Sequence, residues 1–137
     1  DSYYFRGLVP SNKFARVNGI DCPEVISPYV GKTQPYGREI TDSVRLLLKG
    51  KNITYTLYGV DRLNRPLVSV FLNEQDIAGL ILERGWGWYY SPNNLPSASK
   101  KHYKKLERAA KKKKIGLWAD KDPVKPSAWR KRYPGVK

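Results

Sequence analysis

At 137 residues the chain fits one domain, long enough to bury a core without disulfide or metal staples. Twenty-six Lys and Arg against twelve Asp and Glu give a net charge of +14. That imbalance points to a polyanionic partner, nucleic acid first and an anionic membrane surface second. A single cysteine excludes an intramolecular disulfide framework and a multi-cysteine zinc site. No apolar run approaches the length of a membrane span. No signal peptide is recognisable, and a start at Asp1 rather than Met leaves upstream targeting segments, and with them the compartment, open.

Residues 1–9 and 13–20 are rich in aromatic and β-branched side chains and are predicted as strands, with Pro10, Ser11 and Asn12 as turn chemistry between them. Residues 25–35 carry two Pro and a Gly without periodicity and are predicted as a surface loop. From Pro35 onward Tyr36, Ile40, Val44, Leu47 and Leu48 recur at helical spacing, and Gly50 stops the run. Residues 52–60 alternate, with Ile53, Tyr55 and Leu57 on one face, and 66–72 form a further strand across a hairpin-length connection, Asp61 to Arg65. A short helix is expected over 75–84, with Ile77, Leu80 and Ile81 as its apolar stripe. A third helix over 99–114 would start at Ser99, bury Tyr103, Leu106 and Ala110, and present Lys and Arg elsewhere. The tail from Asp120 holds three prolines and is expected to wrap the surface in irregular form. Short strands with interspersed helices predict an α+β arrangement, mainly β: a small barrel with helices packed on it.

Acidic residues are scarce, so their placement is informative. Asp21 and Glu24 follow an apolar strand that also carries Arg16. A carboxylate at a strand end beside a proline turn is held rigidly, as a ligand of a hard metal ion must be. Glu24 is placed to act as a base on a water or to orient one. The same Asp-x-Pro is also an ordinary turn, and Glu24 is equally at home as a solvated loop residue. Arg16 either faces outward from a half-exposed strand or holds a phosphate oxygen with its bidentate fork. Asp61 is expected to pair with backbone N–H groups of its turn. Arg65 is turn decoration or a second phosphate clamp. Phosphodiester hydrolysis needs such parts: a metal ion, a group that activates water, and cationic donors for the transition state. Other chemistries lack theirs. His102 sits in the Lys-rich helix facing solvent, Cys22 has no histidine partner, and no glycine-rich nucleotide loop is present.

The segments Arg-Val-Asn-Gly-Ile-Asp-Cys-Pro-Glu at 16–24, Gln-Pro-Tyr-Gly-Arg-Glu at 34–39, Leu-Leu-Lys-Gly-Lys at 47–51 and Asp-Arg-Leu-Asn-Arg at 61–65 resemble staphylococcal (micrococcal) nuclease and its homologues. Glu83-Arg84-Gly85, Tyr90-Ser-Pro-Asn-Asn94, Leu106-Glu107 with Ala109 and Ala110, and Gly116-Leu117-Trp118 continue in the family's order, so that the resemblance spans roughly residues 1–120. It implies a five-stranded oligonucleotide-binding (OB-fold) barrel with three helices over 1–120, followed by a basic, Pro-rich tail over 121–137 packed on or extending from it. It further implies a calcium-dependent endonuclease acting on DNA and RNA with little sequence preference, without a small-molecule cofactor and as a monomer. By motif match Arg16 and Arg65 would be the catalytic arginines and Glu24 the residue that activates or positions water. Asp21 and the backbone carbonyl of Cys22, where a Thr is usual, would bind Ca2+. Asp1-Ser2 matches the last half of an Asp-Gly-Asp-Thr-like motif, and Asp1 would be a further ligand. Tyr90, Trp88 and Arg62 would surround the bound nucleotide. Leu63 departs from a usual tyrosine, and Trp88 is equally suited to closing the core.

Two other readings stand beside this one. A binding or scaffold module without turnover would use the Lys-rich helix and tail for salt-sensitive phosphate contacts. Association with a membrane surface through the same helix is disfavoured by its few large exposed apolar residues.

Overall fold

The computed structural model describes residues 2–5 and 14–136. Asp1 and the segment 6–13, into which the first expected strand and its turn run, lie outside the described residues. In chain order the elements are β1 (Ser2–Tyr4), β2 (Phe14–Val17), β3 (Ile20–Asp21), α1 (Gly37–Leu48), β4 (Thr54–Val60), β5 (Pro66–Leu72), β6 (Gln75–Asp76), α2 (Ile77–Glu83), β7 (Trp88–Tyr89) and α3 (Ser97–Lys113). A 3-10 turn (Gly116–Ala119) and α4 (Pro126–Arg132) complete the chain.

The main sheet runs β1-β2-β5-β4, with β6 on β5; β2 and β5 are parallel and the other pairs antiparallel. β3 and β7 pair separately. An α+β arrangement is therefore present, but the pairing does not close into a barrel among the described residues, and four α-helices replace the expected three. The expected strand 13–20 is broken because Asn18 and Gly19 make a turn in which Gly19 adopts φ +88, a conformation that favours glycine. Its second half leaves the main sheet for β7, which carries Asp21 away toward the helices.

Periodicity explains the helices. In α1 Ile40 and Val44 are buried, with Leu47 and Leu48 packed against the core. In α2 nearly every residue is buried, and Asp76 caps its start by accepting from the Ala78 N–H at 3.1 Å. α3 begins two residues before the expected Ser99, buries Tyr103 and Ala110, half-buries Leu106, and leaves all its lysines but Lys100 exposed. Val17, Val68, Val70, Ile77, Ile81 and Leu82 are fully buried between sheet and helices, at about 1.5–3 kcal/mol per aliphatic side chain. β4 is an edge strand in this pairing, and Tyr55, Leu57 and Val60 on it stay exposed. The Tyr103 hydroxyl donates to Asp76, tying α3 to the start of α2.

The tail departs from the irregular course expected of it. Pro126 opens α4, where its fixed φ and missing N–H cost nothing. Trp129 is buried and donates its Nε1–H to the Lys32 carbonyl at 2.7 Å. Beyond the helix, Gly31 N–H donates to the Tyr133 carbonyl at 2.9 Å and Gly135 N–H to the Tyr29 carbonyl at 3.0 Å. The tail is thus fastened to the loop that follows Asp21.

Candidate active site

The site is assembled from four segments. Arg16 projects from the interior of β2, opposite Leu67 of the parallel strand β5. Its guanidinium reaches the Ile20 carbonyl at 3.4 Å and lies 3.7 Å from Asp21 Oδ1 and 5.5 Å from the centre of the Tyr90 ring. Burial disfavours the charged form of Arg16, yet the Tyr90 phenol, Asp21 and Glu24 more than offset it, and its pKa is raised. The arginine is firmly cationic in a half-buried place.

Asp21 ends β3, and Glu24 follows in the loop, where its backbone is fixed on both sides. Its N–H donates to the Gln34 Oε1 at 3.1 Å, and its carbonyl accepts from the Gln34 N–H at 2.8 Å. Gln34 is itself buried and donates to the Val124 carbonyl at 2.5 Å. The first residue of α1, Gly37, packs so closely on the Glu24 carbonyl that a Cβ there would clash with it. Glu24 therefore sits on a rigid base.

Arg65 comes from the β4–β5 connection. Asp61 Oδ1 accepts from the N–H groups of Leu63 at 2.9 Å and Arg65 at 2.8 Å, as expected of a turn aspartate. Asp61 Oδ2 accepts from Arg65 Nε at 2.7 Å, and Arg65 Nη1 donates to the Ser2 hydroxyl at 2.9 Å. Backbone turn and guanidinium orientation thus share one carboxylate.

Arg16, Glu24, Arg65 and Tyr90 line one open cleft of about 590 Å³, together with Arg62, Leu63 and Arg130. Asp21 borders a second groove of about 390 Å³ that shares Arg16, Tyr90 and Arg130 with the first. Of the expected residues, Arg16, Glu24, Arg62, Arg65 and Tyr90 share the cleft, with Asp21 beside Arg16 in the adjoining groove. Trp88 is placed differently from Tyr90: it is 6% exposed, with its ring edge-on to Trp118 at 5.0 Å, which is the core placement. Cys22 is buried, and burial pushes its thiol pKa up, so the side chain is an inert hydrophobe rather than a nucleophile. His102 is exposed. The expected ligand Asp1 lies outside the described residues.

One member of the site was not anticipated from the sequence. Arg130, on α4, places Nη1 at 3.1 Å from Asp21 Oδ1 and Nη2 at 3.1 Å from Oδ2, a bidentate fork. The same Nη1 reaches Glu24 Oε1 at 2.5 Å. Burial opposes its charge, but the two carboxylates prevail and raise its pKa. Pro126 at the helix start and the lone Trp129 in a basic tail are the local signals of a docked helix.

Asp21 and Glu24 supply hard oxygen donors facing one cation, the donor chemistry that suits Ca2+. Among the described residues no cluster of three or more His, Cys, Asp or Glu side chains is formed. A metal here would draw its further donors from backbone, water, or residues such as Asp1.

Comparison with known proteins points to one family. The family profile described as "Staphylococcal nuclease homologue" matches residues 15–120. A staphylococcal-like nuclease of Arabidopsis thaliana is 31% identical over 120 residues, covering 88% of this chain and 34% of the plant protein. A protein of Escherichia coli named an uncharacterized endonuclease is 33% identical over 128 residues, covering 91% of this chain and 76% of its own length. A protein of the same name from Haemophilus influenzae is 31% identical over 127 residues, covering 91% and 65%. The chain thus spans about a third of the plant relative and most of the bacterial ones. With the matched profile covering Arg16, Asp21, Glu24 and Arg65, the chain belongs to the family of staphylococcal nuclease homologues.

Proposed function

We propose that the chain is a calcium-dependent endonuclease that hydrolyses phosphodiester bonds of DNA and RNA with little sequence preference. The observation that carries this reading is the meeting of two fixed arginines and a rigidly seated glutamate in one open, cationic cleft.

Arg16 and Arg65 are the phosphate clamps, each presenting N–H donors from a supported guanidinium. As charge builds on the non-bridging oxygens in the transition state, donors already oriented need no reorganisation. Glu24 accepts a proton from the attacking water, or orients that water in line with the leaving oxygen. Asp21, the Cys22 carbonyl and Asp1 would hold Ca2+. When bound, it would supply Lewis-acid neutralisation of phosphate charge. Tyr90, half-buried beside Arg16, offers a π-face to a base, worth about 1–3 kcal/mol. Arg62, exposed at the cleft rim, adds a longer-range phosphate contact. Trp88 supports the cleft wall from the core. The open cleft with Arg16, Arg62, Arg65 and Arg130 on its walls favours binding through backbone phosphates, which carry no sequence information. The strand pairing is read as the described part of an OB-fold barrel.

The test is digestion of plasmid and single-stranded nucleic acid across a calcium titration, with a chelator arm. Cleavage that rises with calcium and vanishes with chelator supports the reading. Cleavage indifferent to both overturns metal dependence, and absence of cleavage with tight binding favours the binding-module alternative. The exposed lysines of α3, including Lys101, Lys104, Lys105 and Lys111, are what that alternative rests on, with Lys100 half-buried beside them. No helix among the described residues is long and apolar enough to cross a membrane.

A further inference from the structure

α4 does not merely cover the surface; it delivers a cation to the two carboxylates of the site. The chain on both sides of Arg130 is fastened to the loop after Asp21: the Trp129 side chain donates to the Lys32 carbonyl, and the Tyr133 carbonyl accepts from the Gly31 N–H. The guanidinium is aimed by a docked helix, and its fork on Asp21 plus the contact to Glu24 satisfies both acids at once. The mutual repulsion of the two carboxylates is offset by this shared donor together with Arg16, 3.7 Å from Asp21. The Arg130 side chain is 37% exposed and borders both the main cleft and the groove behind it, so its head has room to move while its backbone stays fixed.

We propose that Arg130 is a positioning residue: its guanidinium holds Asp21 and Glu24 in place as a built-in stand-in for the metal ion and yields those oxygens when the ion binds. The proposal rests on the metal-dependent reading above. Guanidinium and metal cannot occupy the same carboxylate oxygens, so metal binding is an exchange of one cation for another. Apparent metal affinity is then reduced by the fraction of molecules in which Arg130 keeps the oxygens. The exchange also leaves a free guanidinium at the rim of the cleft as the metal arrives.

The role makes a prediction opposite in sign to that of an ordinary structural contact. Calcium binding is measured by calorimetry on chelator-treated protein without nucleic acid, and melting temperature is measured with and without calcium. Arg130→Gln removes the competitor, so calcium should bind about tenfold more tightly. Its metal-free melting temperature should fall while the calcium-induced rise becomes larger than in the unaltered chain. Arg130→Lys, which keeps the charge, should restore most of the original affinity and metal-free stability. If Arg130 only braces the loop, both its variants loosen the carboxylates, and calcium binding weakens or stays unchanged; that result overturns the proposal and leaves the nuclease reading intact. Calcium binding to neither the unaltered chain nor Arg130→Gln overturns the metal-dependent reading and the role of Arg130 with it.

Discussion

Asp61 offers a clean separation of turn stability from phosphate clamping. Asp61→Ala removes three acceptor contacts: two to backbone N–H groups at 2.9 and 2.8 Å and one to Arg65 Nε at 2.7 Å. The ion pair is partly exposed, 29% for the arginine and 17% for the aspartate, so its Coulomb share is discounted to below about 1 kcal/mol. The two backbone bonds are worth about 0.5–1.5 kcal/mol each, less for the exposed one. The sum is a loss of about 2–3 kcal/mol on chemical unfolding. Asp61→Asn keeps Oδ1 for the backbone donors but turns an N–H₂ toward Arg65 Nε, donor against donor. It should cost about 1 kcal/mol or less while misorienting the guanidinium. A displacement of about 1 Å in such a clamp lowers rate by about 100-fold, and the loss should fall on kcat rather than KM. The assay pairs urea unfolding with steady-state cleavage of a short oligonucleotide by both variants. Asp61→Asn with unchanged kcat would refute the claim that this carboxylate orients Arg65 for catalysis.

Further expectations concern the supports of the site and core. Gly37→Ala forces a Cβ against the Glu24 carbonyl and should destabilise by about 1–3 kcal/mol while lowering cleavage, read by thermal unfolding and rate. Burial raises the Asp76 pKa, against the hydrogen bonds from Tyr103 and the start of α2. Its folded pKa lies above its ordinary value of 3.8, so its contribution is fully present below that value and is lost as pH rises through the folded pKa. Asp76→Asn, which keeps the cap oxygen, should therefore gain stability relative to the unaltered chain as pH rises through that window, measured by urea unfolding at several pH values. Salt should weaken binding of single-stranded nucleic acid to a catalytically silent variant, with log affinity falling linearly in log salt concentration.

Much of the site was legible because its chemistry is local. Arg16, Asp21 and Glu24 lie within nine residues of one another, and Asp61 and Arg65 bracket a single turn. The helices followed from periodicity. What escaped was long-range. Arg130 meets its carboxylates across more than a hundred residues, and the three prolines of the tail suggested irregular chain although Pro126 begins a helix. Gln34 falls within the expected surface loop, yet it is buried, bonded to the Glu24 backbone and tied to Val124. The Asn18-Gly19 pair was absorbed into a strand although such a pair is turn chemistry, and that turn separates Arg16 from Asp21 onto different sheets. Trp88 could have been a stacking platform or core, and only its packing on Trp118 distinguishes the two.

The central claim, that this cleft hydrolyses phosphodiesters with Glu24 acting on water, is tested most directly by Glu24→Gln. Oligonucleotide binding and cleavage should be measured on the same preparation at saturating calcium. The account predicts binding within a few-fold of the unaltered chain and a kcat lower by about 10²–10⁴. Cleavage at an undiminished rate by Glu24→Gln would contradict it.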